Sequence, residues 1–246
     1  MTAHDPNENL RLYNELAPWW PLLSDAKDYA EEVESFLTML DPVAEGTRPT
    51  MLELGSGGGN LASHMKAHYA LTLSDRSPGM LQASRSINPE LEHIEGDMRT
   101  LRLARQFDVV LIHDAIMYLV AADDVRAALA TAAVHCRPGG QVLVAPDVVR
   151  ESYHPDADHG GEDGDDGRAL RFLEWSLPAD PDTSSFEVVY AVVRREADGS
   201  MRMDLDRHQH GLFSEAEWLR FFDGAGLPAR VTIDPWMRHV FVGRRT

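Results

Sequence analysis

The run Glu53-Leu54-Gly55-Ser56-Gly57-Gly58-Gly59 joins a short apolar stretch, MLEL (51–54), to a helical pattern that begins at Asn60. Glycines at such a junction permit tight turns and let the backbone approach a ligand closely. The start of the helix adds free N–H groups and the positive end of a dipole. Asp75 closes a second apolar stretch, ALTLSD (70–75), 20 residues after Gly55. A carboxylate there can accept hydrogen bonds from both hydroxyls of a ribose. A nicotinamide-binding domain would place glycine where Asn60 stands, and a P-loop would need Gly-Lys-Ser/Thr, so both patterns fail. What remains is E-x-G-x-G-x-G.

Strands alternate with helices from 51 to 147. Behind MLEL and ALTLSD come the helical SPGMLQASRS (77–86), the short strand LEHIEGD (91–97), the buried strand FDVVLIHD (107–114), the helix DDVRAALATAAVHC (123–136) and the strand QVLVAPD (141–147). This alternation implies a parallel sheet with right-handed crossovers. From about 148 the texture changes. Residues 151–167 are rich in Gly, Asp, Glu and His and read as a solvated loop. ALRFLEWSL, FEVVYAVVRRE and MRMDLDRHQH alternate as antiparallel strands do, the last two turning at Asp198-Gly199. Ser214 and Glu217 form a capping box for the helix SEAEWLRFFDGAG (214–226), and ARVTI and HVFVG close the chain. Upstream, residues 9–23 read as a short amphipathic helix running into an aromatic cap broken by Pro18 and Pro21, and 27–40 as a second helix.

SPGML (77–81), Glu95-Gly96-Asp97-Met98, FDVVLIHD and Arg137-Pro138-Gly139-Gly140 follow the glycine run in order. Together with E-x-G-x-G-x-G and Asp75, this set resembles the class I S-adenosylmethionine-dependent methyltransferases over nearly the whole chain. The resemblance implies S-adenosyl-L-methionine as cofactor and an α/β fold: a doubly wound, mostly parallel seven-stranded sheet with an antiparallel lid insertion. It divides the chain into a helical cap and cofactor-binding core (1–147), a substrate lid (148–211) and a last helix with closing strands (212–246). It also implies roles by position. Glu53, Gly55, Ser56, Gly57 and Asn60 belong to the glycine cradle, and Asp75 to the ribose. Met80 covers the adenine, Asp97 holds its amino group, the backbone of Met98 meets the ring, and His113 touches the methionyl part. Tyr13, ahead of the KDYAEEVESF helix (27–36), joins this cofactor set.

Within that class the likeness is closest to N,N-dimethyltransferases of deoxyamino sugars, and looser to glycine N-methyltransferases. Tyr13, the antiparallel insertion and the HxHGLFSEAEW stretch (208–218) carry it. The sugar enzymes place a histidine beside the acceptor amine at the end of the fourth strand, where this chain has Tyr118.

Methyl transfer from a sulfonium is an in-line displacement with an activated leaving group, so the protein mainly aligns the nucleophile and excludes water. A neutral amine needs little base; a hydroxyl needs its proton removed. Tyr118 and His208 are the catalytic candidates. Tyr118 lies just past the carboxyl end of the fourth strand, the edge where open α/β sheets bind ligands; the plainer alternative is an aromatic packed beneath the next helix. His208 and His210 alternate by two and share a sheet face, where one could act as base, or both could be exposed on an edge strand. His113 has a purely structural alternative, and Tyr13, Trp19 and Trp20 either close the pocket or are plain core. The 151–167 stretch holds His154, Asp158, His159, Asp163 and Asp165 but lacks the EF-hand order, so no metal is expected. It could instead attract a cationic acceptor.

The 40 acidic and 23 basic residues give a net charge of −17, which sets aside nucleic acid and membrane as partners and leaves a small-molecule acceptor. Cys136, the single cysteine, and the polar opening MTAHDPNENL lead to the expectation of a cytoplasmic protein. The sequence leaves the oligomeric state open. The leading function is methyl transfer to nitrogen or oxygen of a small metabolite. The alternatives are methylation of a peptide or protein, and a catalytically silent cofactor-binding scaffold.

Overall fold

The computed structural model describes residues 5–42, 48–179 and 183–246. Five strands, β1 (Thr50–Leu54), β2 (Ala70–Asp75), β3 (Glu92–Glu95), β4 (Phe107–Ile112) and β5 (Cys136–Val144), pair in parallel. The insertion supplies β6 (Asp156–Gly160), β7 (Ala169–Ser176), β8 (Ser185–Arg195) and β9 (Met201–Gly211). The chain then returns to add β10 (Ala229–Ile233) and β11 (His239–Arg244), with β11 antiparallel to β5. The large sheet has the order β10-β11-β5-β4-β1-β2-β3, and the insertion forms a separate antiparallel sheet β6-β7-β8-β9. This is the seven-stranded, mostly parallel sheet with an antiparallel insertion that the sequence implies.

Both faces of the large sheet are covered, so its strands are apolar throughout rather than alternating. Met51, Val109, Leu111 and Leu143 face α2 (Ala30–Met39) and α3 (Asn60–Met65), where Val33, Phe36, Leu61 and Met65 complete one core layer. Their neighbours Leu52, Leu54, Val110, Ile112, Val142 and Val144 face α5 (Ala122–His135) and α6 (Glu215–Gly224) in the other. The remaining helices are α1 (Trp20–Leu23) and α4 (Pro78–Ile87), the latter capped by Ser77, whose Oγ accepts from Met80 N. The predicted capping box of α6 is present, with Ser214 N donating to Glu217 Oε2 at 2.9 Å and Ser214 Oγ accepting from Glu217 N.

Three local readings need correction. The 151–167 stretch is not all loop: β6 pairs antiparallel with β7 from Asp156↔Ser176 to Gly160↔Phe172. As the edge strand of the small sheet it tolerates Asp156, Asp158 and His159 on an exposed ladder, so it carries no apolar alternation to mark it. Residues 9–16 form turns rather than a helix, followed by a 3-10 turn at Ala17–Trp19 and α1; Pro18 and Pro21 allow only these short pieces. Cys136 opens β5 instead of ending α5. It is fully buried and burial pushes its thiol up to about 11, which keeps it inert.

Candidate active site

Strand order reverses at β1, which has β2 on one side and β4 on the other. The loops leaving the carboxyl ends of these strands therefore diverge and open a crevice. The glycine loop occupies it with Gly55, Gly57 and Gly59 in left-handed conformations, φ +77°, +52° and +76°. Gly55 N and Ser56 N both donate to Ser74 O, at 2.8 and 2.9 Å, which ties the loop to β2. Asp75, at the end of β2, receives Gly57 N on Oδ2 and Ser77 N on Oδ1, each at 2.8 Å. The carboxylate expected to meet a ribose also braces the turns on both sides of the crevice.

A cavity of about 230 Å³ lies over this crevice. Every residue that the resemblance assigns to the cofactor lines it: Tyr13, Glu53, Gly55, Ser56, Gly57, Asn60, Asp75, Met80, Asp97, Met98 and His113. Several are engaged in ways that sequence did not reveal. Asn60 Nδ2 donates to Ser24 O at 3.0 Å, fastening α3 to the N-terminal segment. Arg99 grips Asp97, with Nη2 2.6 Å from Oδ2, and also meets Asp5 at 3.2 Å. His113 Nε2 lies 2.7 Å from Asp114 Oδ1 and 3.1 Å from Glu32 Oε1, and Glu32 pairs in turn with Arg238. Burial opposes a charge on His113, but the two carboxylates prevail and hold its pKa well above the ordinary value. Trp20 sits over Gly58 so closely that a Cβ there would collide with its indole.

Three buried polar atoms around this cavity, Trp20 Nε1, Glu53 Oε2 and Ser56 Oγ, have no hydrogen-bond partner among the described residues. Buried polar groups in native folds are almost always satisfied, so the cavity is shaped for a polar ligand. A methyltransferase-domain family model matches residues 51–140, the segment from β1 to the turn within β5. The chain is 29% identical over 227 residues to dTDP-3-amino-3,4,6-trideoxy-α-D-glucopyranose N,N-dimethyltransferase of Streptomyces venezuelae, covering 90% of this chain and 93% of the relative. The crystal structure of DesVI from Streptomyces venezuelae superposes with a TM-score of 0.78 at 26% identity, covering 91% and 94% of the two chains. The fold is also shared with the sugar N-methyltransferase KedS8 of Streptoalloteichus sp. ATCC 53650, with a TM-score of 0.80 at 21% identity over 100% and 97%. The chain is an S-adenosylmethionine-dependent methyltransferase.

The methyltransferase has a second cavity of about 490 Å³ between the large sheet and the insertion. Tyr13, Trp20, Tyr29, Asp114 and Tyr118 line both cavities and form the wall they share. Trp19, by contrast, packs into the core of the small sheet with Arg168 and Arg194 over its ring. Tyr118 ends a 3-10 turn, Asp114–Tyr118, that leaves β4. Its hydroxyl lies 2.5 Å from that of Tyr13 and 3.0 Å from His208 Nδ1. His208 is fully buried and lines neither cavity; His210, also buried, lines the second. An exposed edge-strand position for the two histidines is thereby overturned: β9 turns that face inward.

Behind His208 stands Asp206, which sequence reading missed. Its Oδ2 lies 3.1 Å from His208 Nε2 and accepts from Leu12 N at 2.8 Å. Burial raises the Asp206 pKa, but these hydrogen bonds outweigh it and the carboxyl titrates below its usual range. An ionised carboxylate only accepts, so Nε2 of His208 carries the hydrogen and Nδ1 is free to accept from the Tyr118 hydroxyl. Burial likewise lifts the Tyr13 and Tyr118 phenols far above their ordinary value, so both stay neutral. In the lining of the second cavity Asp147 is held protonated by burial and by the neighbouring Asp114. Burial also works against ionisation of Asp114, yet His113 overcomes it and keeps that carboxyl charged.

Glu53 supplies a pH-dependent prediction. Burial, reinforced by Asp75 and Asp114 and opposed by His113, pushes its pKa up to about 8 from the ordinary 4.5. The folded protein without cofactor therefore binds this proton more tightly than the unfolded chain does. Its contribution to stability declines as pH rises from about 4.5 to about 8. A cationic cofactor beside Glu53 favours the ionised form. S-adenosylmethionine binding at pH 7 is expected to release roughly one proton and to tighten as pH approaches 8. Calorimetry in buffers of different ionisation enthalpy measures this release, and Glu53→Gln should abolish it. Equal heats in every buffer would place Glu53 away from the cofactor's charge.

Proposed function

We propose that this chain transfers methyl groups to the amino nitrogen of a deoxyamino sugar or an amine of similar size. Methyl transfer to nitrogen or oxygen of a small metabolite is its activity; the choice of nitrogen and of the sugar class is the proposal. The observation that carries it is the second chamber, which shares the Tyr13–Tyr118 wall with the cofactor cavity. Its volume of about 490 Å³ suits a small molecule. The unfilled hydrogen bonds of Glu53 and Ser56 argue against a silent scaffold. The curated relative, named for an N,N-dimethyltransferase, supports an amine acceptor.

When bound, S-adenosylmethionine supplies an activated methyl group on a sulfonium. Glu53, Ser56 and the glycine loop bind it, Asp75 takes the ribose hydroxyls, and Met80, Asp97 and Met98 hold the adenine. Tyr13, Trp20 and Tyr29 close over the junction of the cavities and exclude water. An amine must lose a proton around transfer, and the hydroxyls of Tyr13 and Tyr118 lead from the chamber to His208. A proton arriving at Nδ1 makes an imidazolium whose charge Asp206 balances at 3.1 Å. Tyr118 thus stands at the position and His208 at the end of a relay, with Asp206 fixing the tautomer. The three-part division at 147 and 211 fits this arrangement, the lid supplying His208, Asp206 and most of the chamber's lining, and the segment before it supplying Tyr13 and Tyr118.

The experiment is a methyl-transfer assay with isotopically labelled S-adenosylmethionine against metabolite extracts, identifying products by mass and fragmentation. Label on an amino-sugar nitrogen is the expected result. Label only on oxygen, or only on polypeptide, would overturn the reading.

A further inference from the structure

The chemistry of the second chamber restricts the acceptor further than its size does. Five carboxyl groups line it: Asp114, Asp147, Asp156, Asp158 and Glu174. No lysine or arginine lines it among the described residues, and positions 1–4, 43–47 and 180–182 contain neither residue type. Four arginines of the insertion are committed elsewhere. Arg168, Arg171, Arg194 and Arg207 pair with Asp166, Asp163, Asp204 and Glu187 respectively. A diphosphate brought into this chamber would lose its water and meet acidic side chains with no lysine or arginine beside them among the described residues, which costs free energy on both counts.

A second observation marks the chamber as a built ligand site. His210 is 6% exposed, lines the chamber, and its Nε2 has no hydrogen-bond partner among the described residues. The walls between the acids are aromatic, with Tyr13, Trp20, Tyr118, Tyr153 and Tyr190 presented to the same space. Ring faces and carboxylates together attract an ammonium group, and neither attracts a phosphate. Asp156 and Asp158 stand on the exposed edge strand β6 at the chamber's outer side, where they draw a cation inward.

We propose that this chamber receives a cationic amine bearing no phosphate, so that the amino sugar is methylated as a free glycoside and not as a nucleotide diphosphate ester. The inference rests on the methyltransferase reading of the cofactor cavity and narrows its acceptor. It also separates this chain from the curated relative, whose name specifies a dTDP-linked sugar.

The test uses the full chain loaded with S-adenosylhomocysteine, and calorimetry of that loading comes first. Failure to bind S-adenosylhomocysteine would sink the cofactor reading itself and is distinguishable from failure of this inference. Thymidine diphosphate and a panel of methyl glycosides of 3-amino- and 4-amino-deoxyhexoses are then titrated into the loaded protein. The expected result is saturable binding of at least one amino glycoside, weakening with added salt, and none of thymidine diphosphate at millimolar concentration. Glu174→Gln and Asp158→Asn should each weaken the amine by about three- to tenfold. Asp158→Lys, on an exposed strand that tolerates it, should weaken the amine further and admit thymidine diphosphate. Thymidine diphosphate binding the wild-type protein as well as the amines do, or no amino glycoside binding at all, would overturn the proposal.

Discussion

Tyr118→Phe is expected to lower kcat by roughly 10²–10³ while leaving the dissociation constant of S-adenosylhomocysteine unchanged. The substitution keeps the ring that walls both cavities and removes only the oxygen between Tyr13 and His208. If the relay moves the amine's proton, transfer loses its base while substrate and cofactor still bind, so kcat falls more than KM rises. Asp206→Asn should produce a loss of the same order by a different route. A neutral amide no longer requires hydrogen on Nε2, so His208 can present N–H instead of a lone pair to Tyr118. Because both changes break one chain, the double variant should be little worse than either single one. Stability would fall too, by about 1–3 kcal/mol for Tyr118→Phe, since His208 Nδ1 is left buried without its partner. Assays below the melting point separate the two effects. Additive losses in kcat, or a kcat within twofold of wild type, would remove the relay from the mechanism.

Gly55→Ala is expected to abolish measurable cofactor binding and to lower stability by about 2–5 kcal/mol, a fall in Tm of roughly 5–15 °C. Gly55 sits at φ +77°, and a Cβ there would collide with Ala115 and lie 2.8 Å from Met98 Cε. The loop cannot rotate to relieve this, because the neighbouring N–H groups are tied to Ser74 O. Gly139→Ala is the internal control. Its φ is similarly positive at +75°, but nothing lies within 4 Å of an added Cβ, so only the backbone strain of about 1–2 kcal/mol applies. Cofactor binding should survive it. Thermal melts of the two variants, with and without S-adenosylhomocysteine, decide the matter. A Gly55→Ala protein still stabilised by the ligand would show that the cradle does not need this turn.

What could be read from sequence follows the range of the interactions involved. The glycine run, Asp75 and the strand–helix alternation are local patterns, and the strands, the turn and the helix they describe are present. The capping box at Ser214 is likewise contained within a few residues. Tyr118 and His208 are 90 positions apart, and only the topology, which folds β9 back over the end of β4, brings them together. Asp206 had a local signal: in Asp206-Arg207-His208-Gln209-His210 the three titratable residues share one face of a strand by period two. What hid it was the face's destination, since an inward face of acid and histidine has no apolar alternation to announce burial. β6 was missed for the same reason. Its side chains serve a polar chamber, and hydrophobic periodicity marks strands only where they serve a core. Trp20 over Gly58 had no signal in either residue's neighbourhood.

Residues 5–29 also set an order of assembly. They leave the ribosome before anything they pack against exists. Asn7 waits for Gln209, to which it bonds through both its amide oxygen and its amide nitrogen across 202 positions, and Leu12 waits for Asp206. The glycine loop, Asp75 and Met98, by contrast, all lie within residues 51–140 and can meet one another half a chain earlier. The glycine loop and the strand ends beside it can therefore form while Tyr13 and Trp20 are still unplaced. The N-terminal segment settles last, when β9 has emerged to receive it. Formation of the glycine loop and closure of the two cavities are thus separable in synthesis. A fault in the first 25 residues would leave the glycine loop formed and both cavities without Tyr13 and Trp20, open to water.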